Sequence, residues 1–213
     1  MLLKAIIAFG GAGVPAATLM DCVWSDEDGD AARKTFDITL ARLRKLLGRN
    51  DIILVSDEAV TLNPNLCWID ARRFVELTDP TREGTDPDDW TRRASGLYGG
   101  TFLPADLEVP WTMKRREQLR SRFIHHVNAM GAALESAGRW NQAIDQYHSG
   151  LEADDLAEAF HQGLMRCYRA LGRHAEAMSA YRRLRQTLSV TLGIAPSHQS
   201  RALAEALQRE SPA

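Results

Sequence analysis

The chain holds 213 residues, of which 45% are hydrophobic and 25% charged, and its net charge is −2. This is an ordinary globular balance for one or two domains with a packed core, and bulk charge announces no nucleic-acid partner. The cysteines Cys22, Cys67 and Cys167 are far apart and odd in number, which excludes a disulfide framework and points to a reducing cytoplasm. All three read as small buried hydrophobes. Ala5 to Met20 is uncharged and follows Lys4, as in a signal peptide, but the apolar run Ala5 to Phe9 is too short for an export signal. Gly10, Gly11, Gly13 and Pro15 then break it, which also excludes a membrane-spanning helix there.

Met1 to Phe9 reads as a short apolar helix, ended by the Gly10-Gly11-Ala12-Gly13 loop. Pro15 suits the first turn of a second helix reaching about Trp24, with Leu19, Met20, Val23 and Trp24 on its apolar side. Ser25 to Asp30 is an acidic turn. A third helix is expected from Asp30 to Leu47, because Ala32, Phe36, Leu40, Leu43 and Leu47 are spaced by 4, 4, 3 and 4 and share one face. Asp30 suits its N-cap and Gly48 its C′ position. Two β-prone runs, Ile52 to Val55 and Ala59 to Leu62, flank Ser56-Asp57-Glu58 and predict a hairpin. A short helix follows from Asp70 to Leu77. Thr78 to Asp89, with two prolines, a glycine and five acids, reads as a linker between domains at 1–78 and 88–213.

The remainder is expected to be helical. Pro110 to Ala137 is one long helix, with Leu119, Phe123, Val127, Met130 and Leu134 spaced by 4, 4, 3 and 4. Gly138, Arg139, Ala143 and Tyr147 recur 34 residues later as Gly172, Arg173, Ala177 and Tyr181. That offset is the tetratricopeptide period. The glycine fits the tight interhelical turn, the alanine lets helices approach, and the tyrosine packs between neighbours. The proline expected near the end of each repeat is replaced by Asp155 and Ser189. Two repeats are few, so the long helix and a last helix bearing Leu203 and Leu207 must cap the stack, or a second chain must.

The third helix carries the sharpest functional signal. Residues 31–49 hold six bases, Arg33, Lys34, Arg42, Arg44, Lys45 and Arg49, against one acid, Asp37. The ten residues before Ala31 hold five acids and no base. An apolar face that seats the helix and a basic face opposite fit helix-turn-helix physics, in which Arg and Lys reach phosphates and guanine edges in the major groove. Charge alone also fits a solvated basic face.

The stretch Asp30 to Gly48, ending Arg42-Leu43-Arg44-Lys45-Leu46-Leu47-Gly48, resembles the recognition helix of the response-regulator type winged helix. Ile52 to Leu62 resembles its wing. Tyr98 to Pro104, Gly138-Arg139-Trp140 and Leu192 to Ser197 are similar to the bacterial transcriptional activator domain. Together, in this order and over nearly the whole chain, they resemble the antibiotic regulatory protein (SARP-like) activators. The resemblance implies a mainly α chain, a truncated winged helix with one β-hairpin followed by a tetratricopeptide-like helical repeat domain. It implies a sequence-specific transcriptional regulator, an activator, with double-stranded DNA as partner. Lys34, Thr39, Arg42 and Arg44 match groove-facing or phosphate-contacting positions, Arg33 and Lys45 are further DNA-binding candidates, and Phe36, Leu40 and Leu43 match the core side. The helical repeats would serve a homodimer, a protein partner or signal relay. The acidic turn lies where related regulators touch RNA polymerase, although capping acids in a solvated turn would look the same.

Two departures weigh against a simple transfer. The family's winged helix begins with a small β-sheet that this chain lacks, so the chain reads as starting inside the domain, as a fragment of a larger protein. The wing tip is Asp57-Glu58, where a minor-groove wing usually offers a base, and acids near phosphates repel. Both support an alternative, a protein-interaction module in which the winged helix is a structural cap and the repeat groove binds a partner.

No catalytic, cofactor or metal site is expected, and the chain does not read as an enzyme. The Gly10 to Gly13 loop follows a helix, and no Gly-Lys-Ser/Thr comes after it. His125, His126, His148, His161, His174 and His198 form no HExxH and no ligand spacing with a cysteine. There is no Gly-x-Ser-x-Gly elbow. Lys114, Arg115, Arg116, Arg120 and Arg122 read as a solvated face with a supporting phosphate contact as the alternative, and Trp111 and Trp140 as core.

Overall fold

The computed structural model describes residues 1–79, 93–94 and 96–210, so the expected linker lies outside the described residues except for its first two positions. The chain divides into two compact units: Met1–Glu76 with Thr101–Leu119, and Leu77–Gly100 with Arg120–Ala213. In chain order the elements are α1 (Leu2–Ala8), β1 (Val14–Pro15), α2 (Ala16–Val23), α3 (Gly29–Leu46), β2 (Ile53–Ser56), β3 (Ala59–Leu62), α4 (Asp70–Leu77), α5 (Pro110–Ser136), α6 (Trp140–Ala153), α7 (Glu158–Ala170), α8 (His174–Leu192) and α9 (His198–Glu210).

The first unit is a winged helix. Its core gathers Leu2, Ile6, Leu19, Phe36, Leu40, Ile53, Val60 and Leu62, all buried. Trp24 sets its edge against Phe36 at 6.3 Å, and Trp111 packs on the same cluster while staying half-buried. The predicted hairpin forms, with Ile53 opposite Leu62 and Ser56 opposite Ala59. It gains a third strand, since β1 pairs antiparallel with β3, Val14 opposite Val60. Pro15 therefore sits in an edge strand as the N-cap of α2, where its missing N–H costs no ladder bond, rather than inside the first turn. Gly11 has φ +75°, and its carbonyl accepts from Leu62 N at 2.8 Å and Arg72 Nη2 at 3.1 Å. At that φ any other residue is strained, and a Cβ would meet Arg72 Nη2 at 2.8 Å and push that side chain aside, so the position favours glycine. Helix α3 starts earlier than expected: Asp28, not Asp30, is the N-cap, its Oδ1 accepting from Ala31 N at 2.9 Å. Asp30 becomes a first-turn acid, and Gly48 ends the helix at φ +78°.

The second unit follows the repeat register. Gly138 and Gly172 turn the chain at φ +69° and +70°, and Ala143 and Ala177 are fully buried. Tyr147 is fully buried, whereas its counterpart Tyr181 is half-buried. The Tyr147 ring fills a slot between Gly131 of α5 and Gly163 of α7, and a methyl on either glycine would overlap it. The Tyr147 hydroxyl donates to Glu135 at 2.6 Å, and Arg166 donates to both oxygens of that carboxylate at 2.9 and 2.8 Å. Burial alone would raise the Glu135 pKa, but these hydrogen bonds carry it below the usual range. Helix α9 closes the stack through buried Ala204 and Leu207 with Leu203 half-buried. The Ser200 hydroxyl donates to Glu158 at 2.6 Å and accepts from Gln162 at 2.9 Å.

Three expectations need correction. Only Cys167 is buried, its thiol pushed up to about 12 by desolvation, while Cys22 and Cys67 are half-buried. Trp140 is half-buried rather than core. Arg116 and Arg120 do not belong to a freely solvated face. Arg116 donates to the carbonyls of Phe102, Leu103, Asp106 and Leu107 at 2.6 to 3.1 Å, and Arg120 pairs with the largely buried Asp154 at 2.8 Å. This segment forms only a single 3-10 turn at Pro104–Asp106, where Leu103 and Asp106 each accept one main-chain N–H, and the guanidinium supplies further donors to these and the neighbouring carbonyls.

Candidate nucleic-acid interface

Burial of Ala32, Phe36 and Leu40 fixes which way α3 faces, because these residues anchor it on the core. With 100° per residue, Lys34, Ile38, Ala41, Arg42 and Lys45 then fall within an arc of about 100° on the opposite side. All five are exposed. Among the described residues the side chains of Lys34, Arg42 and Lys45 make no hydrogen bond or ion pair, so three cations stand uncompensated on one helical face.

The other candidate residues are placed differently. Arg44 is half-buried and donates to the Ile53 carbonyl through Nε at 3.2 Å and Nη2 at 2.6 Å, which ties α3 to the start of the wing. Arg33 is exposed but lies between two acids, with Nε 3.5 Å from Asp37 and Nη1 3.4 Å from Glu58. Thr39 is half-buried at the margin of the outward face. Arg49 forms a two-pronged pair with Asp51 at 2.9 and 2.7 Å, and that pairing raises its pKa. The six sequence candidates thus separate into a free group, Lys34, Arg42 and Lys45, and a group engaged or set aside within the unit, Arg33, Thr39 and Arg44. Ile38 was not among them. Its signal in the sequence is an apolar side chain off the Phe36–Leu40–Leu43 face.

The wing tip is a two-residue turn in which Asp57 and Glu58 have φ +49° and +58°. Such turns join twisted strands well and tolerate glycine, asparagine and aspartate, so the strain falls on Glu58. The Glu58 carbonyl accepts from Ala16 N at 2.7 Å, and its carboxylate meets Arg33. Below the α2–α3 connection lies a hollow of about 240 Å³ lined by Ala17, Met20, Asp21, Trp24, Glu27 and Ala32. Glu27 accepts from the Thr35 hydroxyl at 2.8 Å.

Among the described residues no three His, Cys, Asp or Glu side chains come together to hold a metal ion, and no helix is long and apolar enough to cross a membrane.

Comparison with known proteins places this geometry in a family. The chain is 24% identical to Regulatory protein AfsR of Streptomyces griseus over 98% of its length, and 24% identical to Regulatory protein AfsR of Streptomyces coelicolor over all of it. It spans 22% of each of those proteins. Among solved structures, EmbR of Mycobacterium tuberculosis, in complex with a low-affinity phosphopeptide, superposes with a TM-score of 0.59 at 22% identity, over 94% of this chain and 56% of EmbR. That likeness supports the winged helix and helical repeat as a shared fold. The families matched are transcriptional regulators rather than enzymes. The family model for the bacterial transcriptional activator domain matches residues 69–208, and the chain belongs to that family of transcriptional regulators.

Proposed function

We propose that the chain is the sequence-specific DNA-binding part of a transcriptional activator, with α3 lying in the major groove of double-stranded DNA. The observation that carries this reading is the outward face of α3, where Lys34, Arg42 and Lys45 are exposed and uncompensated. Uncompensated cations on a rigid helix gain phosphate contacts and release counterions without first breaking an internal pair. Arg44 holds the wing on the helix rather than reading bases. The acidic tip keeps the wing off the phosphates and holds Arg33 in check. The acidic turn and the hollow beside Trp24 offer a contact for a basic surface of RNA polymerase. The helical repeats serve self-association, and Val190, Leu192 and Ile194, 80%, 52% and 50% exposed, supply open apolar surface for it. Selection from a pool of random duplexes, followed by a mobility shift at fixed salt, tests the DNA reading. A recovered motif supports it, and equal, featureless retention of all duplexes removes it.

A second reading is a peptide-binding interaction module. It draws on a hollow of about 160 Å³ over α7, lined by His148, His161, Tyr168 and Arg183 among others, and on the phosphopeptide in the EmbR structure. Binding of a phosphopeptide, with no duplex bound at low salt, favours it.

A further inference from the structure

The outward face of α3 carries more than charge. Ile38 lies near the centre of that face, four residues after Lys34 and four before Arg42, and 44% of its surface is open. Ala41, exposed on the next turn, extends the same apolar spot toward Lys45. Local stability does not account for an isoleucine here. It is β-branched, a poorer helix former than alanine, lysine or glutamate, and it adds little to the core that Phe36 and Leu40 build on the other side. A face meant only for phosphate contact gains nothing from it, because phosphate oxygens need donors.

The major groove presents one apolar group to such a spot, the C5-methyl of thymine, which protein methyl groups read by contact. We propose that Ile38, with Ala41 beside it, is a specificity-determining residue that packs on a thymine methyl while Lys34, Arg42 and Lys45 fix the helix on the flanking phosphates and base edges. The inference rests on the reading of α3 as the helix in the major groove and adds which base its centre selects. Each buried methyl is worth about a fourfold change in affinity.

The experiment uses the full 213-residue chain and duplexes recovered from a random pool, synthesised once with thymidine and once with deoxyuridine, which lacks only the C5-methyl. Wild type is expected to bind the thymidine duplexes about 3- to 15-fold more tightly, for one or two methyls contacted. Ile38→Ala should lose most of that preference, whereas Lys45→Ala should weaken both duplexes alike. A thermal melt of Ile38→Ala checks that the fold is kept, and Ile38→Val should retain a reduced preference. Equal binding of the two duplex sets by wild type overturns the thymine inference while leaving α3 as the reader. A preference kept in full by Ile38→Ala assigns the methyl contact to another residue and also overturns it. If no motif is recovered at all, the DNA-binding reading itself fails, and this inference with it.

Discussion

Gly163→Ala offers a sharp test of how the helical repeats are held. In an exposed helix the change is favourable by about 1 kcal/mol, since alanine loses less entropy than glycine. Here the new methyl overlaps the Tyr147 ring, which also lies against Gly131 too closely to admit a methyl there. The ring cannot slide aside without giving up the hydroxyl bond to Glu135 at 2.6 Å. Overpacking costs about 1–3 kcal/mol, and losing a hydrogen bond to a charged group about 1.5–3 kcal/mol. Set against the propensity gain, the net loss is about 3 kcal/mol, or roughly 6–12 °C in Tm for a chain of this size. Thermal unfolding followed by far-UV circular dichroism reads it. The same substitution in a Tyr147→Ala background should be neutral or stabilising, because the clash is gone and the propensity gain remains. A Tm that rises on Gly163→Ala in the otherwise unaltered chain would refute the slot as drawn.

Further outcomes separate structural from functional charge. Arg44→Ala should lower stability by about 1–2 kcal/mol by leaving the Ile53 carbonyl without its guanidinium, while Arg42→Ala should leave the melt unchanged and weaken DNA binding; unfolding curves and mobility shifts on both variants distinguish them. Glu135 and Glu158 both have lowered pKa values in the folded chain, Glu158 because bonds from Ser200 and Ser197 outweigh its burial. Their contribution is fully present above the ordinary glutamate pKa of about 4.3 and fades as pH falls through the lower folded values, so acid titration should destabilise the helical repeats and Glu135→Gln should flatten that loss. Glu58→Gln should leave Arg33 with Asp37 as its one remaining acid and steepen the salt dependence of DNA binding by less than one full phosphate contact, read from affinities at several salt concentrations.

The elements legible in the sequence were those set by long side-chain periods. Ala32, Phe36 and Leu40 fall on the buried side of α3 as their spacing requires, and the 34-residue offset places Ala143 and Ala177 in equivalent buried positions. Strand β1 was not legible, because two residues, one of them proline, carry no periodicity and are held by main-chain pairing with β3. The slot around Tyr147 was hidden for a related reason. Gly131 and Gly163 look like weak points in helices until the ring that needs their missing side chains is in place. At the candidate interface, periodicity separated the basic residues of α3 from its apolar face. It did not foresee that Arg44 turns to a carbonyl of the returning strand or that Glu58 comes back to Arg33, since both contacts depend on where the hairpin lands.

The free cations of α3 are the proposed DNA contact. The most direct measurement is the affinity of a recovered duplex for the full chain and for Lys34→Ala/Arg42→Ala/Lys45→Ala, each across a series of salt concentrations. The variant is expected to melt like the parent, bind far more weakly, and show a salt slope shallower by about 0.9 for each of the three side chains that contacts a phosphate. Unchanged affinity and slope in a folded triple variant would contradict the assignment of this face to DNA.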